Sequence, residues 1–163
     1  MRRLGWWPRV AGAVAMVAGS VLGAGVAAAD AEPTVVAFSQ LLRRCDFSEM
    51  KNVGGDGYGR PVGAVRLDGG ELVADVAIAT ARPNTGYDVR IIQVPRPSER
   101  PCNPGDPGVA AAALNTDGAG AGAVTVRGPV VSGATGAWLF ITRPNAHSQV
   151  PAEFYSTDFI FAF

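Results

Sequence analysis

The chain has 163 residues, of which 48% are hydrophobic, 14 are basic, 14 are acidic and one is histidine. Eleven basic and fourteen acidic residues follow Ala29, so that part of the chain carries a net charge near −3 and lacks the basic stripe of a nucleic-acid-binding protein. Two distant cysteines and one histidine also make a poor set of metal ligands, and we expect no cofactor.

Residues 1–29 have the pattern of a secretory signal peptide. Three arginines within the first nine positions precede an apolar run over 10–27, and small residues up to Ala29 form an A-x-A cleavage motif. An uncleaved anchor is the alternative, but Gly and Ala make up half of the run and no basic stop-transfer cluster follows it. We therefore expect export, cleavage before Asp30 and no stable membrane span in the mature protein.

The N-terminal extension, residues 30–58, has two interpretations. Apolar residues recur at roughly helical spacing from Val35 to Cys45, whereas residues 34–38 could equally form a strand. We predict a short helix or an added edge strand. In an exported chain, a lone pair of cysteines indicates one disulfide, so Cys45 should anchor this segment to Cys102.

Residues 59–163 alternate between short strands and turns, which is typical of an all-β domain. Turn sequences such as Asp68-Gly69-Gly70 and the proline-rich loop 95–108 separate runs in which every second residue is apolar. Seven such runs predict an Ig-like antiparallel β-sandwich with a short N-terminal extension. The predicted strands cover 62–68, 71–80, 86–93, 111–115, 120–127, 137–143 and 154–163.

The same pattern predicts how individual strands are buried. Tyr87, Val89 and Ile91 share one parity and should face the core. The strand at 137–143 is apolar on both faces, which is typical of a central strand. The strand at 154–163 places Tyr155, Phe159, Phe161 and Phe163 on one face, where we expect them to belong to the core.

Several stretches together resemble small secreted actinobacterial proteins of the mycobacterial type, whose function is unknown. These stretches are PNTGYDVRIIQ after a strand, a cysteine in a Pro/Gly-rich loop, NTDGAGAGAVTV, GAWLFITRP and EFYSTDF. They cover most of the mature chain. The resemblance implies export and an all-β fold, and it implies no activity and no catalytic residues.

The residues for common catalytic mechanisms do not form a recognisable motif. His147 precedes Ser148, but neighbours on an extended chain point to opposite sides and cannot act as base and nucleophile. The chain has no G-x-S-x-G motif and no calcium-loop spacing of acids. We therefore predict no catalytic, cofactor-binding or metal-binding residue. A pair of carboxylates could still act together, because the sequence does not determine their separations.

The tripeptide Arg-Pro-Asn occurs at 82–84 and at 143–145, each time directly after a predicted strand. Proline presets a turn and asparagine tolerates the left-handed region, so both sites should be turns. In an Ig-like sandwich these two loops lie at the same end, where two guanidinium groups could bind an anionic group, and the loop with Cys102 should lie at the other end with the N-terminal segment. The candidate ligand or partner residues are Arg82, Asn84, Arg143, Asn145 and His147.

The sequence thus predicts an exported, non-catalytic binding or interaction module of the cell envelope or extracellular space. Its candidate ligands are a protein, a small anion or a lipid, and nucleic acid is excluded. Two alternatives stay open. One is a carboxylate-dependent hydrolase, and the other is a small outer-membrane β-barrel, suggested by the aromatic residues of a last strand that ends in Phe163.

Overall fold

A computed structural model describes residues 32–163, so the predicted signal peptide and its cleavage before Asp30 lie outside the described part of the chain. Between residues 32 and 163, no helix is long and apolar enough to cross a bilayer. The described residues form ten strands. They are β1 (Thr34–Val36), β2 (Phe38–Ser39), β3 (Arg60–Asp68), β4 (Glu71–Ala79), β5 (Gly86–Val94), β6 (Val109–Asn115), β7 (Gly122–Pro129), β8 (Gly136–Arg143), β9 (Glu153–Thr157) and β10 (Phe161–Ala162).

The strands form two antiparallel sheets that pack as a β-sandwich, which confirms the predicted fold class. The four-stranded sheet has the order β1-β3-β4-β7, and the six-stranded sheet has the order β2-β9-β8-β5-β6, with β10 paired to the start of β8. β3, β4 and β7 share one sheet while β5, β8 and β9 share the other, as in the Ig fold. β6 pairs with β5 instead of β7, so it extends the six-stranded sheet.

The main core lies between the sheets and follows the predicted period of two. In β4, the side chains of Leu72, Val76 and Ile78 are at most 2% exposed and pack against Val89 and Ile91 of β5 in one cluster. β8 lies between β5 and β9 and is buried on both faces, as predicted for a central strand.

The last predicted strand, 154–163, is broken in the structure into β9 and β10. β9 pairs with the end of β8 and β10 with its beginning, and the chain bulges out between them at 158–160. The Thr157 hydroxyl accepts a hydrogen bond from the Leu139 backbone N–H, and Asp158 is bonded to Ala37 and Ser39 of the N-terminal segment. Phe159 is consequently 42% exposed and does not belong to the core, contrary to the prediction for this strand.

In the described part of the N-terminal extension, the edge-strand interpretation is confirmed and the helix is wrong. β1 pairs with β3 of the four-stranded sheet, and β2 pairs with β9 of the six-stranded sheet. The apolar residues that suggested a helix do not share one face: Phe38 packs against the main core, whereas Leu42 belongs to a second cluster with Trp138 and Phe154. Val35 is 74% exposed.

A second hydrophobic core lies on the outer face of the six-stranded sheet. Residues 40–53 cover Trp138, Phe140 and Ile92 there, and the Phe47 ring packs edge-on to the Trp138 indole at 5.5 Å. The predicted disulfide is formed and links this segment to the β5–β6 loop. Its residues are Cys45 and Cys102.

The register brings the β4–β5 loop (80–85) and the β8–β9 loop (144–152) to one end of the sandwich, which we call the loop end. Asp88 near the start of β5 pairs with Thr142 near the end of β8, so both loops leave from the same edge. The sequence placed the N-terminal segment at the other end with Cys102, but the structure does not confine it there. After crossing the outer face, the segment returns to the loop end at residues 56–59. There the backbone N–H of Gly59 donates a hydrogen bond to the Tyr155 hydroxyl.

Candidate functional site

A buried carboxylate forms the floor of the loop end. Glu153, the first residue of β9, is 3% exposed. Its Oε1 accepts a hydrogen bond from the Tyr155 hydroxyl at 2.5 Å, and its Oε2 accepts one from the Tyr87 hydroxyl at 2.9 Å. Oε2 also lies 3.2 Å from Nε of Arg143, which supplies the compensating positive charge. A buried charge is tolerated when it is paired and fully hydrogen-bonded, and Glu153 meets both conditions.

The strand register assembles this network, which we call the Glu153 network. Arg143 and Glu153 are directly paired residues of β8 and β9, so their side chains lie on the same face and meet. Tyr87 reaches the carboxylate from β5, and its hydroxyl also accepts a bond from the Arg82 backbone N–H, five residues upstream, at 3.3 Å. The network therefore fixes the start of the β4–β5 loop as well as the end of β8.

Two glycines allow the segment 56–59 to lie against this network. A Cβ atom on Gly57 would be 2.2 Å from the Tyr155 hydroxyl, and one on Gly59 would be 2.6 Å from it. Any larger residue would therefore force the backbone away from Tyr155. The Gln40 amide donates to the Gly57 carbonyl and holds the segment from its other side.

A cleft of about 290 Å³ opens above Glu153 at the loop end. Its rim carries Tyr58, which is 81% exposed, and Arg82, whose guanidinium makes no hydrogen bond or ion pair to any residue between 32 and 163. Two carboxylates, an aromatic ring and a guanidinium thus surround one small cleft. The lining residues are Asp56, Tyr58, Thr80, Ala81, Arg82, Pro83 and Glu153.

The structure brings the five residues predicted for the binding loops to the loop end but gives them different environments. Arg82 lies on the cleft rim, while Arg143 is paired with Glu153 and is only 23% exposed. Asn84 adopts a left-handed φ of 50°, as expected for its turn. Asn145 accepts a bond from the His147 backbone N–H at 3.0 Å, and both lie outside the cleft lining.

The residues that build the site were not predicted from the sequence. Glu153, Tyr87 and Tyr155 have the pattern of ordinary strand residues, although an acid before the apolar residues of EFYST could have indicated a buried polar site. A tyrosine at the start of a strand, directly after a turn, is a second signal, because its hydroxyl can bond back to the preceding loop. Asp56 and Tyr58 belong to the segment whose path the sequence left open.

Burial, followed by the hydrogen bond to Glu153, raises the pKa of both Tyr87 and Tyr155. Because the folded state holds these protons more strongly than the unfolded state, the stabilisation is present below the ordinary tyrosine pKa of about 10 and is lost above it.

We expect the free energy of unfolding to fall as the pH rises past about 10, and to fall less steeply in Tyr155→Phe. Urea unfolding followed by tryptophan fluorescence across this range measures the slope. Tyr58→Phe, at an exposed hydroxyl, should keep the wild-type slope, and equal slopes in all three proteins would contradict the prediction.

Within residues 32–163, no group of three or more His, Cys, Asp or Glu side chains could hold a metal ion. Comparison of the chain with protein-family models, with curated proteins and with solved structures finds no match.

Proposed function

We propose that this chain is an exported, non-catalytic binding or interaction module that recognises its partner at the loop end. The observation that carries the proposal is the cleft above the Glu153 network. Its floor is fixed by three hydrogen bonds to one buried carboxylate, while Tyr58 and Arg82 on its rim are exposed. Rigid polar groups beneath accessible aromatic and arginine side chains are the usual features of a recognition site.

A protein partner suits this molecule better than a lipid held in its interior. The apolar cavity between the sheets, beside Ile91, Leu139 and Phe161, has no room for a water molecule. This cavity therefore does not hold a lipid chain, and we place the binding site on the surface. Asp56 and Arg82 line the cleft, so a partner segment with both a basic and an acidic group would complement it.

Export is the second element of the proposal, supported by the leader pattern and consistent with the disulfide. The test is mass spectrometry of the protein recovered from its producer's culture fluid. A denatured mass equal to residues 30–163 less two hydrogens is expected. Recovery of an uncleaved chain from the cell interior would overturn this element.

The loop end is tested by cross-linking the purified protein in the same culture fluid and at the cell surface. We expect the double variant Tyr58→Ala/Arg82→Ala to lose the partner captured by the wild type, because truncating a central Tyr or Arg of an interface weakens binding by about 30-fold. Arg44→Ala, an exposed arginine of the segment 40–53 outside the loop end, is the matched control. Equal capture by all three proteins would place recognition elsewhere.

The cleft also supports the second candidate function, a carboxylate-dependent hydrolase. Asp56 and Glu153 both line it, and a pair of carboxylates can hydrolyse a glycosidic bond. Both oxygens of Glu153 already accept hydrogen bonds from the protein, which favours binding over catalysis. Turnover of chromogenic glycosides by the wild type, absent in Asp56→Asn, would reverse this preference.

A further inference from the structure

A buried arginine without a carboxylate partner lies in the β5–β6 loop. Arg96 is only 6% exposed. Its guanidinium donates to the carbonyl of Pro107 at 2.8 Å and to the carbonyl of Pro101, and its Nε has no hydrogen-bond partner within the described chain. Carbonyl groups satisfy donors but do not neutralise the charge. Among residues 32–163, no acid forms an ion pair with Arg96.

An uncompensated buried charge is unfavourable, since its desolvation is repaid only by an opposite charge nearby. Burial lowers the pKa of Arg96, the positive charge of Arg100 lowers it further, and Asp106 opposes both effects. An arginine nevertheless keeps its proton in a protein. The remaining way to balance the charge is an anion from solution.

The position of Arg96 makes this compensation feasible, because its side chain lines an open cleft of about 210 Å³. Arg100 and the turn 131–134 also line it, and no acid is among the lining residues. In this turn Gly133 has a φ of 82°, and the Ala134 N–H bonds back to the carbonyl of Val131.

The turn also supplies unused hydrogen-bond donors. Within the described chain, the backbone N–H groups of Ser132 and Gly133 and the Ser132 hydroxyl make no hydrogen bond. The cleft therefore combines two guanidinium groups with neutral donors. Oxyanions bind to this combination, because charge-assisted bonds from arginine are strong and exposed backbone N–H groups of a turn accommodate anions.

We propose that the cleft formed by Arg96, Arg100 and the 131–134 turn binds a phosphate or sulfate group. The group neutralises Arg96, and Arg100 and Ser132 supply further bonds. The site is built on the β5–β6 loop and on the turn before β8, away from the loop end. It is therefore independent of the function proposed for the Glu153 network.

The test titrates inorganic phosphate, and separately sulfate, into the ¹⁵N-labelled protein at an ionic strength held constant with chloride. We expect saturable shifts of the Ser132 and Gly133 amide signals. Arg100→Ala should weaken the binding of both anions about tenfold, as expected for the loss of one charge-assisted hydrogen bond. Arg96→Met should abolish the shifts. Arg60→Ala, an exposed arginine at the start of β3 that lines neither cleft, should bind both anions like the wild type.

Two results would overturn the proposal. One is the absence of saturable shifts at these amides beyond those that chloride produces. The other is equal weakening by Arg100→Ala and Arg60→Ala, which would mean that the anions respond only to surface charge. The loop end is tested with Tyr58→Ala/Arg82→Ala and the anion cleft with Arg96→Met and Arg100→Ala, so a failure of one proposal is distinguishable from a failure of the other.

Discussion

Replacing both cysteines with serine should lower the free energy of unfolding by about 4 kcal/mol. The disulfide joins positions 57 residues apart, and a cross-link of this span removes much of the conformational entropy of the unfolded chain. The disulfide also links residues 40–53, which cover the second core, covalently to the β5–β6 loop. Urea unfolding of the wild type and of Cys45→Ser/Cys102→Ser, followed by tryptophan fluorescence, measures the difference.

In a protein of residues 30–163, the form expected after export, the one tryptophan is Trp138, which lies in the second core against Phe47. If the double variant disrupts the second core without global unfolding, the Trp138 emission of the native state will change. If it destabilises the whole domain uniformly, only the midpoint of urea unfolding will shift. Wild-type protein treated with a thiol reductant is the control and should match the double variant. A loss below about 1 kcal/mol would show that the second core holds the N-terminal segment without the bridge.

The second large effect is expected for Glu153→Gln, which should lower the free energy of unfolding by about 3 kcal/mol. The amide keeps the shape of the side chain but removes the charge that compensates Arg143 and weakens the bonds from Tyr87 and Tyr155. One amide cannot accept all three donors as a carboxylate does. The measurement is urea unfolding at neutral pH.

Glu71→Gln is the matched control, because Glu71 pairs with Arg127 across neighbouring strands but 46% of its side chain is exposed. Exposed ion pairs contribute little, so this variant should unfold close to the wild type. A double-mutant cycle with Arg143→Met then separates the ion pair from the hydroxyl bonds. Equal losses in Glu153→Gln and Glu71→Gln would contradict the role assigned to the buried network.

The strands could be predicted because their signals are local. The alternation in β4 and the doubly apolar β8 determine which side chains are buried, whatever their partners. Glycine and proline mark the ends of these runs. The break between β9 and β10 was not predictable from the same signals, since it depends on a bond between Thr157 and a different strand.

The candidate site was only partly predictable, because buried polar groups depend on register. The repeated Arg-Pro-Asn tripeptide indicated two turns at one end, and Asn84 adopts the expected conformation. The tripeptide did not indicate that Arg143 is paired with Glu153, because Glu153 belongs to β9 and only the strand register places it opposite Arg143. The path of residues 40–57 depends on contacts far along the chain, such as that between Leu42 and Trp138, and no local pattern encodes them.

The arrangement of β1 and β2 determines how the molecule would respond to a mechanical load. A single residue, Ala37, separates the two strands, so one short stretch of chain lies along the edges of both sheets. Tension from the N-terminal side would peel this stretch away with little resistance, because β1 and β2 have three and two residues. The unravelling would stop at Cys45, where the disulfide transmits the tension to Cys102. The load would then act on the β5–β6 loop instead of on the segment that follows Cys45.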